Sequence, residues 1–257
     1  MAKKVRIPPR NLPKSPKNKS GTDPIPASCP VPGTHGTGFG MLLYFYAAKF
    51  PLIKSIFGKD TPILETSGPM KKYLLAGLGN VGEEYANTRH NVGFRVLDAL
   101  AWEEGFSFTT GKLGDVGSFK LKGRNILALK PSTFMNRSGK AISYWLEKEK
   151  IPREHLLVIT DDINLPFGTL RLKARGSDGG HNGLRDIQDS LQGIDYHRLR
   201  FGIGSEFSKG RQVEYVLGAW SEEEETALKE RLKRAGNMIR SFVLAGPANT
   251  MNEFNGT

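Results

Sequence analysis

Cysteine is almost absent from the 257-residue chain, which contains only Cys29. A single thiol excludes an intramolecular disulfide and a cluster of thiolate metal ligands, and it leaves residues 70–257 without a cysteine nucleophile. A chain without disulfides suits a reducing compartment. We therefore expect the cytoplasm, or an organelle stroma or matrix if the N-terminal part is a targeting segment.

Proline is scarce after residue 70, because eleven of the fifteen prolines precede it. Residues 1–69 also carry ten Lys/Arg against three Asp/Glu, a net charge of +7, whereas the remainder carries 27 against 23. Up to about Thr37 this segment is also poor in aromatic residues, so it buries too little apolar surface to offset the entropy lost on ordering. We predict a largely disordered extension over residues 1–69 and one domain over residues 70–257.

A long uninterrupted apolar run is also missing. The most apolar stretch, residues 38–57, is broken by Lys49, Pro51 and Lys54. A membrane-spanning helix needs roughly 20 mostly apolar residues, and no small-residue cleavage site follows as in a signal peptide. We predict no membrane insertion. Three interpretations of the stretch stay open: a surface-lying amphipathic segment, a degenerate organelle-targeting extension, or sequence upstream of a true start at Met70.

After Met70, short apolar strands alternate with helices of ten or more residues. This alternation is typical of an α/β fold whose sheet is covered on both faces. We predict a single-domain three-layer sandwich with a mixed, largely parallel central sheet. The predicted strands cover 72–77, 118–121 and 125–130 as a hairpin, 156–160, 169–173 and 199–203. The predicted helices cover 92–104, 139–150 capped by Ser138, 182–191 closed by Gly193, and a long helix opened by a capping box at 221–224.

The first strand ends in the pattern G-x-G-x-x-G, formed by Gly77, Gly79 and Gly82. In a dinucleotide site a helix follows directly, and an acidic residue about 20 positions on ends a second strand. Here a polar segment follows, and Asp98 lies inside the next predicted helix. The context therefore argues against a nucleotide site. The chain also lacks the phosphate-loop, nucleophile-elbow and H-E-x-x-H motifs, and we predict no cofactor and no metal.

Polar residues stand where the predicted strands end: Asn80, His90, Asn136, Asp161 and Asn182. Ligands of open α/β sheets bind at the carboxyl ends of strands, so we expect these five groups to face one cleft. Taken singly, each asparagine is also typical of a turn, and each of the five histidines is compatible with a loop position satisfied by backbone groups.

Five segments of residues 70–257 resemble, in order and spacing, the signature segments of bacterial-type peptidyl-tRNA hydrolases: GLGNVGEEYANTRHNVGF, PSTFMNRSGKA, DDINLPFG, GGHNGLRD and HRLRFGIG. The resemblance implies an enzyme that hydrolyses the ester between a peptide and the 3′ end of tRNA, which recycles tRNA from stalled translation. It also implies a phosphorylase/hydrolase-like α/β sandwich that acts as a monomer without metal. Peptidyl-tRNA would be the substrate, and no stable protein partner is implied.

The resemblance also implies the roles of three residues. His90 would be the general base that activates water, since a neutral histidine is suited to that task near neutral pH. Asp161 would hold its imidazole in the required tautomer. Asn80 would assist in catalysis and help to separate peptidyl-tRNA from aminoacyl-tRNA with a free amino group. The neighbouring Asp162 is interpreted as a turn or cap residue.

Further residues are assigned to substrate binding. By resemblance, Tyr85, Phe134, Asn136 and Asn182 would contact the terminal nucleotide and the peptide. Binding of tRNA also requires neutralised phosphates. The candidate phosphate contacts are basic residues of the second half of the chain: Lys173 with Arg171 and Arg175 on one predicted strand, Arg200, Lys209 and Arg211.

Deletion of residues 1–69 is expected to leave ester hydrolysis unchanged, because every predicted site residue lies in residues 70–257. The measurement compares the initial rates of the full chain and the truncated chain on the same N-blocked aminoacyl-tRNA. A loss of hydrolysis on truncation would contradict this expectation. The alternative hypothesis, a non-catalytic RNA-binding relative that uses the same groove, predicts that neither form hydrolyses the substrate.

Overall fold

The computed structural model describes residues 71–255. The predicted extension over residues 1–69, its apolar stretch and the alternative start at Met70 lie outside the described residues. Within them the strands are β1 (Lys72–Gly77), β2 (Thr109–Gly111), β3 (Gly114–Leu121), β4 (Arg124–Pro131), β5 (Leu156–Asp162), β6 (Leu170–Lys173) and β7 (His197–Gly202). The helices are α1 (Val92–Glu104), α2 (Ser138–Glu149), α3 (Asn182–Leu191), α4 (Gln212–Val216), α5 (Glu222–Ala245) and α6 (Pro247–Phe254).

The described strands form one sheet in the order β2-β3-β4-β1-β5-β7-β6. The four central strands, β4, β1, β5 and β7, run parallel to one another, while β2, β3 and β6 pair antiparallel at the edges. At the centre, Leu75 of β1 pairs with Ala128 of β4 and with Leu157 of β5. The predicted mixed sheet is therefore confirmed.

Side chains of the central strands alternate between two apolar cores, one on each face of the sheet. On one face, Leu75 and Leu157 belong to the core that includes α1 and α5. On the other face, Leu74 and Val158 belong to the core that includes α2 and α3. Because both faces are covered, these strands are continuous apolar runs instead of alternating ones. The predicted three-layer sandwich is confirmed.

Three elements, β1, α1 and α3, have the predicted bounds. The sequence pattern missed β2, α4 and α6, which have three, five and eight residues. Segments this short contain too few apolar residues to define a period.

The capping residues predicted for two helices are wrong. Ser138 is the first residue of α2, and its hydroxyl donates to the Met135 carbonyl at 2.9 Å instead of capping the helix. The reason is that the chain already coils in the short 3₁₀ turn Met135–Arg137 before α2 begins. At the end of α3, Gln192 and not Gly193 takes the left-handed conformation, with φ of 51°.

Strand β5 continues two residues past its predicted end at Thr160. Asp161 and Asp162 pair with Phe201 and Gly202 of β7, so the neighbouring strand extends the ladder beyond the apolar run. Asp161 is consequently held within the sheet and is 3% exposed.

Helix α5 begins with the predicted capping box, which is confirmed. The Glu224 N–H donates to the Ser221 hydroxyl at 3.2 Å, and the Ser221 N–H donates to the Glu224 carboxylate at 2.7 Å. These bonds satisfy two backbone donors that a helix start would otherwise leave unpaired. In the part of the chain that the structure describes, none of the helices combines the length and the apolar character needed to cross a membrane.

The glycines after β1 allow close packing between β1 and α1. A Cβ on Gly77 would lie 2.4 Å from the Gly93 carbonyl oxygen, and one on Gly79 would lie 2.8 Å from the Phe94 ring. Gly82 instead has φ of 123°, a conformation that favours glycine. The G-x-G-x-x-G pattern therefore serves packing and a turn beside Asn80.

Substitution of Gly93 by alanine is expected to destabilise the fold. Its Cβ would lie 2.5 Å from the Leu78 backbone and 2.6 Å from the Ile159 carbonyl oxygen, neither of which moves without distorting the sheet. Overpacking of this kind typically costs about 1–3 kcal/mol. Urea denaturation measures the free energy of unfolding. The matched control is Gly236→Ala in α5, where the nearest atom is the flexible Glu103 carboxylate at 3.3 Å and no loss is expected.

Candidate active site

A cleft of about 300 Å³ lies where β5 ends. Strand β7, the segment 176–180 before α3, the first turn of α3 and helix α4 form its other walls. Five of the predicted site residues line it: His90, Asp161, Lys173, Asn182 and Arg200. The cleft thus lies at the carboxyl end of a parallel strand. Of the five strand-end residues expected to face one cleft, His90, Asp161 and Asn182 line it, whereas Asn80 and Asn136 do not.

His90 and Asp161 form a hydrogen-bonded pair. His90 lies in the 3₁₀ turn Arg89–Asn91, which leads into α1, and its Nδ1 is 2.9 Å from Oδ2 of Asp161. Their side chains are 13% and 2% exposed. An ionised carboxylate only accepts hydrogen bonds, so Nδ1 of His90 carries a proton. In the neutral imidazole, Nε2 then holds the lone pair.

The pair shifts the pKa of both groups. Burial opposes the charged imidazolium, but the charge and hydrogen bond of Asp161 outweigh it and raise the pKa of His90 above its ordinary value. For Asp161, burial acts against ionisation, yet the charges and hydrogen bonds of His90 and His181 hold the pKa of the carboxyl well below its usual range. Asp161 is therefore ionised across the physiological pH range.

His181 is a second partner of Asp161 that the sequence did not predict. Its Nε2 is 3.0 Å from Oδ1 of Asp161 and 2.9 Å from the Thr160 hydroxyl. Its Nδ1 accepts the N–H groups of Gly183 and Leu184 at 3.1 and 3.2 Å, so the ring caps α3. Because Nδ1 accepts, Nε2 must carry the proton in the neutral ring and donates it toward Asp161. The only sequence signal was the position of His181 at the start of a predicted helix.

The three groups are also close enough to hold a metal ion, since ligand atoms of His90, Asp161 and His181 lie within 4.8 Å of one another. Their hydrogen bonds do not suit that role. Ligation through Nε2 of His181 would require its proton to move to Nδ1, which faces two N–H donors. The donor set therefore fits a hydrogen-bonded triad better than a metal site.

Asn80 does not line the cleft, and its backbone is held by Asn91, a buried residue that the sequence analysis also missed. The Asn80 N–H donates to Oδ1 of Asn91 at 2.9 Å, and Nδ2 of Asn91 donates to the Asn80 carbonyl at 2.8 Å. Oδ1 of Asn80 in turn accepts the Met135 N–H at 2.9 Å. Since Asn91 directly follows His90, the turn that carries His90 is tied to the loop that carries Asn80.

The remaining predicted substrate contacts do not line the cleft itself. Asn136 is exposed within the 3₁₀ turn Met135–Arg137, next to the bond to Asn80. Phe134 precedes that turn and is 58% exposed. Tyr85 is partly exposed at the end of the 3₁₀ turn Glu83–Tyr85. These three residues flank the loop of Asn80, and their contacts with substrate stay a prediction.

The predicted basic residues fall into two groups. Lys173 and Arg200 line the cleft together with Arg198, which was not predicted, and Arg200 forms an ion pair with Asp162. Outside the cleft, Arg175, Lys209 and Arg211 are exposed, and Arg211 pairs with Glu214. Arg171 lies on β6 with Lys173, whereas the strand ends before Arg175, so the prediction of all three on one strand is wrong.

Substitution of Asp161 by asparagine is expected to lower the pKa of His90 below its ordinary value. Burial of the imidazole persists while the carboxylate charge that favours its protonated form is removed. Histidine titration by NMR measures this pKa. In the matched control Asp162→Asn, which alters the partner of Arg200 and not of His90, the pKa of His90 is expected to stay raised. An unchanged pKa in Asp161→Asn would contradict the assigned pair.

Comparison with known proteins identifies the family of the chain. The sequence model of the family described as peptidyl-tRNA hydrolase matches residues 74–257. The peptidyl-tRNA hydrolases of Phocaeicola vulgatus and Porphyromonas gingivalis are each 54% identical over 184 residues, covering 72% of this chain and 98% and 100% of theirs. The crystal structure of the Acinetobacter baumannii peptidyl-tRNA hydrolase has a TM-score of 0.69 at 35% identity, covering 74% of this chain and 97% of that one. The chain belongs to the peptidyl-tRNA hydrolase family.

Proposed function

We propose that the chain hydrolyses the ester bond between peptide and tRNA with His90 as the general base. Family membership supports the reaction, which recycles tRNA from stalled or aborted translation. The observation that carries the assignment of the base is the 2.9 Å hydrogen bond between Nδ1 of His90 and the buried carboxylate of Asp161. It leaves Nε2 as the proton acceptor of a side chain that lines the cleft.

In the proposed reaction, Nε2 of His90 removes a proton from water as the water oxygen attacks the ester carbonyl carbon. The bond from that carbon to the 3′ oxygen of the tRNA then breaks, and the imidazolium returns the proton to the departing oxygen. Asp161 stabilises the transient positive charge on His90. His181 keeps the carboxylate aligned because it donates to its other oxygen.

The asparagines are proposed to position the ester and to stabilise the developing oxyanion. Oδ1 of Asn80 is occupied by the Met135 N–H, so its Nδ2 donors are available to a substrate carbonyl. Asn182 is exposed in the lining of the cleft. We assign Asn136, Phe134 and Tyr85 to the adjoining peptide and terminal nucleotide, because they flank the loop of Asn80.

Phosphates of the tRNA are proposed to bind beside Lys173. This residue lines the cleft, and among residues 71–255 it forms no ion pair with a carboxylate. Arg200 would join it by exchanging its bond to Asp162 for one to phosphate. Arg175, Lys209 and Arg211 are further candidates on exposed segments. A contact of this kind would add affinity that decreases with salt and carries no sequence preference.

Several broader assignments accompany this function. We propose residues 70–257 as the catalytic domain, which the family match over residues 74–257 supports. We further propose that the enzyme acts as a monomer in the cytoplasm, with peptidyl-tRNA as its partner and no cofactor. An organelle remains the alternative compartment if residues 1–69 are a targeting segment.

The test is release of N-acetyl-amino acid from N-acetyl-aminoacyl-tRNA, with the same tRNA bearing a free α-amino group as the second substrate. The chain is expected to cleave the blocked substrate, and His90→Ala should reduce kcat by about 10²–10⁴-fold, the range for loss of a general base. His155→Ala is the matched control, since His155 stacks on Tyr73 and is not in the cleft lining. Full activity of His90→Ala would refute the base, and binding of tRNA without cleavage would favour an RNA-binding protein.

A further inference from the structure

Arg89, the residue before His90, makes a set of contacts that the proposed reaction does not explain. Its Nη1 donates to the Ala219 carbonyl at 2.8 Å, and its Nη2 donates to the Glu224 carboxylate at 2.7 Å. The side chains of Arg89 and Glu224 are 12% and 19% exposed. The guanidinium is therefore largely removed from water and held by groups more than 120 residues away in the chain.

The backbone beside His90 is joined to the same distant segment. The Arg89 N–H donates to the Gly218 carbonyl at 3.1 Å, and Thr88 forms an isolated antiparallel bridge with Ala219. Thr88 is 5% exposed, so this junction is buried. Side chain and backbone of Arg89 thus hold the start of the turn that carries His90 against residues 218–219.

Arg89 also contacts helix α4, which forms one wall of the cleft. Its guanidinium carbon lies 4.5 Å from the centre of the Tyr215 ring, within the range of a cation–π interaction. The Tyr215 hydroxyl donates to the Ile203 carbonyl at 2.6 Å, which fixes the ring. From the same short helix, Gln212, Val213 and Val216 line the cleft.

Stability alone is a weak explanation for such a buried ion pair. The cost of removing two charges from water approximately cancels their attraction, so a buried pair commonly contributes geometry more than free energy. The Nε of Arg89 is moreover buried without a hydrogen-bond partner among the described residues, which adds a further cost. Glu224 is itself fixed, because the same carboxylate oxygen accepts the Ser221 N–H at the start of α5. The arrangement provides a rigid anchor beside His90.

A second arginine offers a comparison. Arg95 of α1 pairs with Glu225, the residue after Glu224, in the same first turn of α5. This pair joins α1 to α5, and Glu225 is 49% exposed. Among the contacts of the described residues, Arg95 makes none with α4 or with the turn of His90. Arg95 shares with Arg89 the charge and the ion pair to the first turn of α5, without the connection to the site.

We propose that Arg89 is a positioning residue that fixes His90 and the α4 wall of the cleft as one unit. The proposal rests on the proposed function, in which His90 is the base. When a substrate binds against α4, Nε2 of His90 would then already be at the correct position relative to the ester. Loss of Arg89 would disturb both the proton acceptor and the α4 wall, although Arg89 is not in the cleft lining.

The experiment measures kcat and KM for N-acetyl-aminoacyl-tRNA in Arg89→Met, Arg89→Lys and Arg95→Met, each with and without His90→Ala. With His90 present, Arg89→Met is expected to lower kcat by about 10²-fold, the scale for a small misplacement of a catalytic group, and to raise KM. Arg89→Lys should recover part of the loss, since it keeps the charge but not both hydrogen bonds. Arg95→Met should change neither constant.

In the His90→Ala background, Arg89→Met is expected to cause no further loss of kcat, because residues that act through one group are not additive. The NMR signals of the His90 imidazole nitrogens give a second readout on the folded variants. They should lose the single Nδ1–H tautomer in Arg89→Met and keep it in Arg95→Met.

The outcomes separate the two proposals. Unchanged kcat, KM and His90 spectrum in folded Arg89→Met would overturn the positioning role alone. An equal loss of kcat with and without His90, or an effect of Arg95→Met as large as that of Arg89→Met, would overturn it too and indicate a general structural role. Full turnover by His90→Ala by itself would refute the base, and with it the positioning of that base.

Discussion

The buried carboxylate of Asp161 is the group on which the rest of the site depends. Its side chain is 2% exposed, and a charge taken so far out of water requires partners. The two partners, His90 and His181, lie 71 and 20 residues away in the chain. Removing one partner of a buried charged group commonly costs about 3–5 kcal/mol. One carboxylate therefore constrains the turn before α1, the end of β5 and the start of α3 together.

Close packing of β1 against α1 beneath the site keeps the distances between these groups fixed. At Gly77 and Gly93 the backbones of β1 and α1 approach so closely that no Cβ fits between them. The same contact holds the turn of His90 at the ends of β1 and β5. The two hydrogen bonds between Asn91 and the backbone of Asn80 then transmit the position of the base to the loop of the amide. Apolar packing beneath the site thus fixes the positions of its polar groups.

The cleft combines a rigid side with a side built from charged and exposed groups. On the rigid side stands the triad of His90, Asp161 and His181. On the other side, Lys173 comes from the edge strand β6 and Arg200 from its neighbour β7, and α4 contributes exposed apolar residues such as Val213. This division suits an enzyme whose chemistry needs a fixed base and whose substrate is a large polyanion bound through phosphates. Arg89 connects the two sides.

The sequence by itself determined the elements whose signals are local. The apolar run of β1, the period of α1 and the capping box at Ser221 each depend on residues within a few positions of one another, and each was predicted correctly. The roles of His90 and Asp161 came from the resemblance of their motifs, and the structure places these residues 2.9 Å apart. Tertiary structure alone decided the parts that depend on distant partners. His181, Asn91 and Arg89 were not distinguished from ordinary polar residues, because their hydrogen bonds join residues 11 to 135 positions apart or depend on a tautomer that only the folded helix start selects.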